Sequence, residues 1–212
     1  MSNNLQSLHP WHLEDLRKSV LLDETIGIKS VCPRDIDKIF GYETHARSAY
    51  EIHYPGTDYS RYKMFYDEAD KINPKTSDER PKYLAKKNSG NRLYIPAKVT
   101  PILNDLSIPI YITEGEKKAL KGTQEGLPCI AISGLWNWGR KTENGYELLP
   151  DFDQIALEDR MVYLVPDSDW LEPNREGKPK NLEQALNELA YCLIDKGAKV
   201  DWVELPQGGE NE

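Results

Sequence analysis

Glu114, Asp167 and Asp169 are the side chains whose types and spacing could do chemistry together. Glu114-Gly115-Glu116 follows a short apolar run from Ile108 to Ile112, broken by Pro109, and Asp167-Ser168-Asp169 follows a second run, Met161 to Val165. Runs of that length, rich in β-branched residues and bounded by turn formers, read as buried parallel strands. Parallel strands send their following loops to one edge of a sheet, and ligands bind outside that edge. The three carboxylates are therefore expected at a common rim. Crowded carboxylates repel one another and resist ionising unless a cation lies between them. A hard divalent ion with oxygen ligands, Mg2+ or Mn2+, meets that need. Gly115 removes a side chain where the backbone leaves the strand, so an ion or a phosphate can come close.

The elements that must position these acids start at Ile108, from which strand and helix alternate. Glu116 to Glu125 reads as a helix closed by Gly126, and Cys129 to Ser133 as a second strand. Weaker helical character around Phe152 to Leu157 precedes the strand Met161 to Val165. Leu182, Ala185, Leu186, Leu189, Ala190 and Leu193 recur at helical spacing up to Gly197, and Lys199 to Leu205 alternates as a last strand. The order βαβαβαβ predicts an α/β fold, a parallel sheet flanked by helices. Upstream, residues 10–40 read as helical, with a short helix from Pro33 to Phe40 stopped by Gly41. Tyr50, Ile52, Tyr54 and Tyr62, Met64, Tyr66 alternate on either side of Pro55-Gly56-Thr57-Asp58, the pattern of a β hairpin. Residues 67–81 read as a loop and Arg92 to Pro96 as an extended piece. Two domains follow: 1–104, helical and β-rich, and 105–212, the α/β region.

A chain of 212 residues can hold one ample domain or two small ones. No apolar stretch reaches the length of a membrane span, and the polar Met1-Ser2-Asn3-Asn4 start lacks the layout of a secretion signal. Cys32, Cys129 and Cys192 lie far apart and are expected as buried free thiols in a reducing cytoplasm. No Cys-x-x-Cys pair is present, which excludes a zinc ribbon. The net charge of −8 argues against coating nucleic acid by bulk electrostatics. Its distribution is uneven, however. Arg80, Lys82, Lys86, Lys87, Arg92 and Lys98 form a strip that contains no acid and also holds Tyr83 and Tyr94. Such a strip suits phosphate neutralisation with base stacking, or it is a solvated loop.

Other residues carry two readings. Glu116 is a second candidate acid or an acid that favours a helix start. Lys117 and Lys118 meet a triphosphate or stand exposed. Trp136 and Trp138, flanking Asn137, stack a base or cover the sheet. His9 and His12 lack partner cysteines and read as surface histidines.

The order of a glutamate after the first strand and an Asp-x-Asp after the third resembles the TOPRIM domain of bacterial and phage primases, topoisomerases and some nucleases. The run Tyr111-Ile112-Thr113-Glu114-Gly115-Glu116-Lys117-Lys118-Ala119 is similar to the signature of a TOPRIM-bearing domain in replication proteins of plasmids, phages and other mobile elements. Upstream, Pro81-Lys82-Tyr83-Leu84, Asn91-Arg92-Leu93-Tyr94, and His53-Tyr54-Pro55-Gly56-Thr57-Asp58 with Arg61 stand in the order of segments in the primase catalytic core. The likeness runs from about His12 to Pro206. It departs at Lys118, where many primases have an acid, and at Trp170-Leu171-Glu172-Pro173, where small residues are usual.

The resemblance implies a TOPRIM-like, Rossmann-like parallel sheet preceded by a smaller α+β basic subdomain of primase-core type. It implies that Glu114, Asp167 and Asp169 hold one or two Mg2+ ions, and that Arg61, Lys63, Lys82, Lys86, Lys87 and Arg92 contact nucleic-acid phosphates. The expected activity is primase-like nucleotidyl transfer in replication of a mobile element. Its partners would be single-stranded DNA template, nucleoside triphosphates, and a helicase domain or other replication protein. A nuclease using the same metal centre is one alternative; a non-catalytic nucleic-acid-binding module is another. The polar Gln207-Gly208-Gly209-Glu210 tail and the lack of helicase motifs fit a piece of a longer replication protein.

Overall fold

The computed structural model describes residues 8–21, 27–143, 145–168 and 182–206. The chain divides into two compact units, Met1–Gly90 and Asn91–Glu212. Residues 91–104, grouped with the N-terminal part by sequence, belong to the second unit. Leu93, Ile95, Val99 and Leu103 are buried in its core, and Tyr94 bridges to Ala131 by two backbone hydrogen bonds.

In the first unit, helix α1 (Pro10–Arg17) starts where the His9 ring accepts a hydrogen bond from the Trp11 N–H. Strand β1 (Ile28–Val31) follows, then α2 (Pro33–Phe40), which ends at Gly41 in the left-handed conformation. The continuous helical character expected over 10–40 is thus interrupted by a strand. Ile28-Lys29-Ser30-Val31 has too few apolar residues to show its period, and pairing with β2 (Ser48–His53) decides it. Strand β2 pairs antiparallel with β3 (Ser60–Phe65) around the expected turn, and β4 (Tyr83–Ala85), which the sequence did not announce, completes the order β1-β2-β3-β4. Along β3 the residues alternate. Tyr62 and Met64 pack with Ile36, Phe40 and Ala49, while Arg61, Lys63 and Phe65 point to the other face. On that face Asp15 of α1 accepts hydrogen bonds from the Tyr50 hydroxyl (2.9 Å) and the Lys63 ammonium (2.5 Å).

His12 is buried rather than at the surface, its ring bonded to the hydroxyls of Ser30 (2.6 Å) and Ser48 (3.1 Å). Burial, helped by neighbouring His9, lowers its pKa from 6.5 to about 4. An unfolded histidine takes its proton near pH 6.5, whereas the folded one stays neutral until about pH 4. The stability this burial permits is therefore complete above pH 6.5 and falls as pH drops through that window, by about 3 kcal/mol at most. Thermal unfolding followed from pH 7.5 to 4.5 should show the midpoint falling, and a His12→Gln variant should show a shallower slope.

In the second unit, parallel strands β5 (Ile110–Glu114), β6 (Cys129–Ile132), β9 (Met161–Val165) and β10 (Lys199–Trp202) lie in the order β10-β9-β5-β6. Tyr111 and Tyr163 face each other across β5 and β9, their rings stacked at 5.0 Å, which helps fix the register. Helix α3 (Glu116–Gln124) joins β5 to β6, and α4 (Leu182–Asp195) buries the expected apolar face before β10. The link from β6 to β9 departs from the expected helix. It is a hairpin, β7 (Gly139–Thr142) and β8 (Gly145–Leu148), followed by a short 3-10 helix, Pro150–Gln154. The fold is mixed α/β, with a parallel sheet in the second unit and antiparallel pairing in both. No helix among the described residues is long and apolar enough to cross a membrane.

Candidate functional site

β5 and β9 are adjacent and parallel, with Thr113 opposite Val165. Glu114 is the last residue of β5, and Asp167 lies two residues beyond the end of β9, so both leave the sheet at the same edge. The apolar runs explain the placement. Ile110, Ile112, Val162 and Leu164 fill the core, and their strands end where the charged residues begin. Asp169 lies outside the described residues.

Gly115 makes the turn from β5 into α3. Its φ of +87° and ψ of 141° suit glycine alone, and its N–H donates to the Ile132 carbonyl of β6 at 2.9 Å. A Cβ there would meet nothing within 4 Å, so a side chain is opposed by backbone strain and not by crowding. Gly115→Ala should destabilise the chain by about 1–3 kcal/mol, read as a lower unfolding midpoint.

Three residues into the chain past Gly115, the Lys118 ammonium donates to Asp167 Oδ1. The sequence left Lys118 between a triphosphate and open solvent; the structure gives it a carboxylate 49 residues away. Glu116, in the first turn of α3, is buried; burial of the Tyr94 hydroxyl, and after it the nearness of Glu116, raises the Tyr94 pKa. Among the described residues no group of three or more His, Cys, Asp or Glu is placed to hold a metal ion. The two acids at the rim nevertheless suit a hard cation. Both offer carboxylate oxygens, and one already draws a positive charge onto itself.

The expected phosphate contacts fall in both units. Lys82, Lys86 and Lys87 are exposed in the first. Lys82 and Lys63 line a cleft of about 360 Å³ together with Lys71, Arg80, Phe65 and Tyr66, with Glu79 the one acid among its described lining residues. Lys71 was not singled out by sequence, because it stands apart from the basic strip. Lys63 is committed to Asp15, its side chain only 14% exposed, and Arg61 lies over the Tyr83 ring at 5.3 Å. In the second unit Arg92 pairs with Asp151 at 3.1 Å, and Asp151 also accepts the Leu93 N–H. That contact ties the segment before β5 to the 3-10 helix.

Trp138 is core: its indole N–H donates to the Ala185 carbonyl of α4 at 3.1 Å. Trp136 packs beside Tyr146. Of the three free thiols Cys129 is buried, its pKa pushed up to about 12 by burial, while Cys192 is partly buried and Cys32 exposed, so the expectation of three buried thiols holds for one.

The residue that sequence reasoning missed most completely is Arg160. It is fully buried, and its guanidinium donates to the carbonyls of Ile108 (2.8 Å), Leu103 (2.5 Å), Ala156 (3.2 Å) and Ile102 (2.9 Å). Three of these carbonyls belong to the segment that feeds β5 and the fourth, Ala156, precedes β9, so Arg160 ties the approaches to the two strands together. Only a lone arginine before an apolar run hinted at it.

The model of a family described as a domain of unknown function, DUF3854, matches residues 100–211. The Gene 57 protein of Mycobacterium phage D29 is 27% identical over 131 residues, 62% of this chain and 75% of that protein. The crystal structure of the Aquifex aeolicus primase (zinc binding and RNA polymerase domains) superposes with a TM-score of 0.58 at 14% identity. That superposition covers 95% of this chain and 51% of the primase chain, so this chain spans about half the length of the crystallised one. The likeness to the primase is one of fold.

Proposed function

The chain belongs to the DUF3854 family, and we propose that it is a primase-like catalytic core for metal-dependent nucleotidyl transfer in replication of a mobile element such as a phage. In this reading the second unit is a TOPRIM domain, and Glu114, Asp167 and Asp169 are its ligands for Mg2+ or Mn2+. The observation that carries it is the delivery of Glu114 and Asp167 to one sheet edge by adjacent parallel strands, with a cationic side chain already on Asp167. The fold likeness to a bacterial primase and the phage relative support the same direction.

A bound divalent ion would activate an attacking 3′-hydroxyl and neutralise charge on the α-phosphate and departing pyrophosphate. The chain's own residues do the remaining work. Glu114 would take the hydroxyl proton at a carboxylate oxygen, and Gly115 would leave room for phosphate beside the backbone. Lys82, Lys86 and Lys87 contact the phosphates of a single-stranded template and hold its register without reading its bases.

Labelled nucleoside triphosphates, single-stranded DNA and Mg2+ or Mn2+ provide the test. Oligomers that grow with time are the expected product. Template cleavage without synthesis would replace this reading with a nuclease. DNA binding with neither reaction would replace it with a non-catalytic module.

A further inference from the structure

We infer that Lys118 sets the affinity of the rim for divalent ions, acting as a tethered cation that competes for Asp167. The inference rests on the metal-site reading above and specifies how that site is tuned. Lys118 is the third residue of α3, and its backbone N–H is held to the Gly115 carbonyl at 3.2 Å. The side chain therefore springs from a fixed point beside the end of β5. From there it reaches across to the loop after β9 and places its ammonium on Asp167 Oδ1.

An ion that took Asp167 as a ligand would meet that ammonium at close range. It would have to displace the charge or endure its repulsion. Displacement is possible, because the Lys118 side chain is 50% exposed and Asp167 30% exposed, so the ammonium can regain water as it leaves. A pair this exposed adds little to folding, so its main effect falls on whatever else binds Asp167. Lys118 is accordingly a positioning residue, one that acts through Asp167.

Binding of Mn2+ to the full chain, followed by loss of the free-ion electron paramagnetic resonance signal, tests this in five proteins. They are the wild type, Lys118→Met, Lys118→Arg, Asp167→Asn and Glu114→Gln, each first shown to melt as the wild type does. Lys118→Met should bind Mn2+ on the order of three- to tenfold more tightly. Lys118→Arg should bind no more tightly than the wild type, since its guanidinium keeps the charge and can grip a carboxylate with two bonds. Asp167→Asn and Glu114→Gln should each bind more weakly.

Equal or weaker binding by Lys118→Met, with Asp167→Asn still damaging, overturns the role of Lys118 and leaves the metal site standing. Binding indifferent to both Asp167→Asn and Glu114→Gln, or absent from all five proteins, overturns the metal site and this inference with it. Should Lys118→Met alter the melting curve, Lys118→Gln replaces it with the same expectation.

Discussion

Glu114→Gln should lower metal-dependent nucleotidyl transfer by at least about a hundredfold while leaving the fold intact. The amide preserves the size of the side chain at the end of β5 but removes its charge and its capacity to take a proton. Metal ions contribute several kcal/mol by stabilising charge in the transition state, and each 1.36 kcal/mol is a factor of ten in rate. Losing one anionic ligand forfeits a large share of that. Asp167→Asn should lose activity to a similar degree, and the double variant should be little worse than either single one, because two ligands of one ion act as a unit. Steady-state assays at saturating Mn2+ with a circular dichroism spectrum of each variant decide it. Either single variant retaining more than about a tenth of wild-type activity is inconsistent with a several-kcal/mol contribution.

Arg160→Met should destabilise the protein strongly, by about 3–5 kcal/mol. Methionine fills part of the same volume yet donates nothing, so the carbonyls of Ile102, Leu103, Ala156 and Ile108 lose their shared donor in the interior. Against a typical total of about 5–15 kcal/mol, that places the second unit near its unfolding threshold. Arg160→Lys should recover only part of the loss. An ammonium is a compact point donor, whereas the guanidinium spreads planar donors toward several acceptors at once. Urea unfolding of the three proteins, compared by midpoint at equal slope, measures the difference.

The contrast between Glu114 and Arg160 shows which parts of this fold can be read from sequence. Glu114 and Asp167 are marked by local pattern: a short buried strand with an acid at or just past its end, beside a breaker, Gly115 in one case and Pro166 in the other. Parallel pairing then brings the two strand ends together without further information. Helix α4 and the β2–β3 hairpin were legible for the same reason, since their periods are long enough to count.

Arg160 offers only the sign of a lone arginine before an apolar run, because its partners lie in residues 102–108 and at Ala156, and only folding assembles them. The β7–β8 hairpin is hidden by polar composition: Arg140-Lys141-Thr142 carries no apolar stripe, and its pairing depends on Gly139 lying where a Cβ would strike the Glu147 carbonyl. Strand β1 is too short to show alternation and is fixed by β2. His12 looked like a surface residue because nothing near it in sequence predicts the hydroxyls of Ser30 and Ser48. The partner of Lys118 was equally out of reach, being supplied by strand order.

Crystals of the full chain soaked in Mn2+ and measured at a wavelength where manganese scatters anomalously test the shared ion most directly. A single peak at about 2.1 Å from carboxylate oxygens of both Glu114 and Asp167 is the expected result. A peak bound to one of these acids alone, or no peak at the rim at saturating Mn2+, would contradict a cation held in common at the end of the two strands.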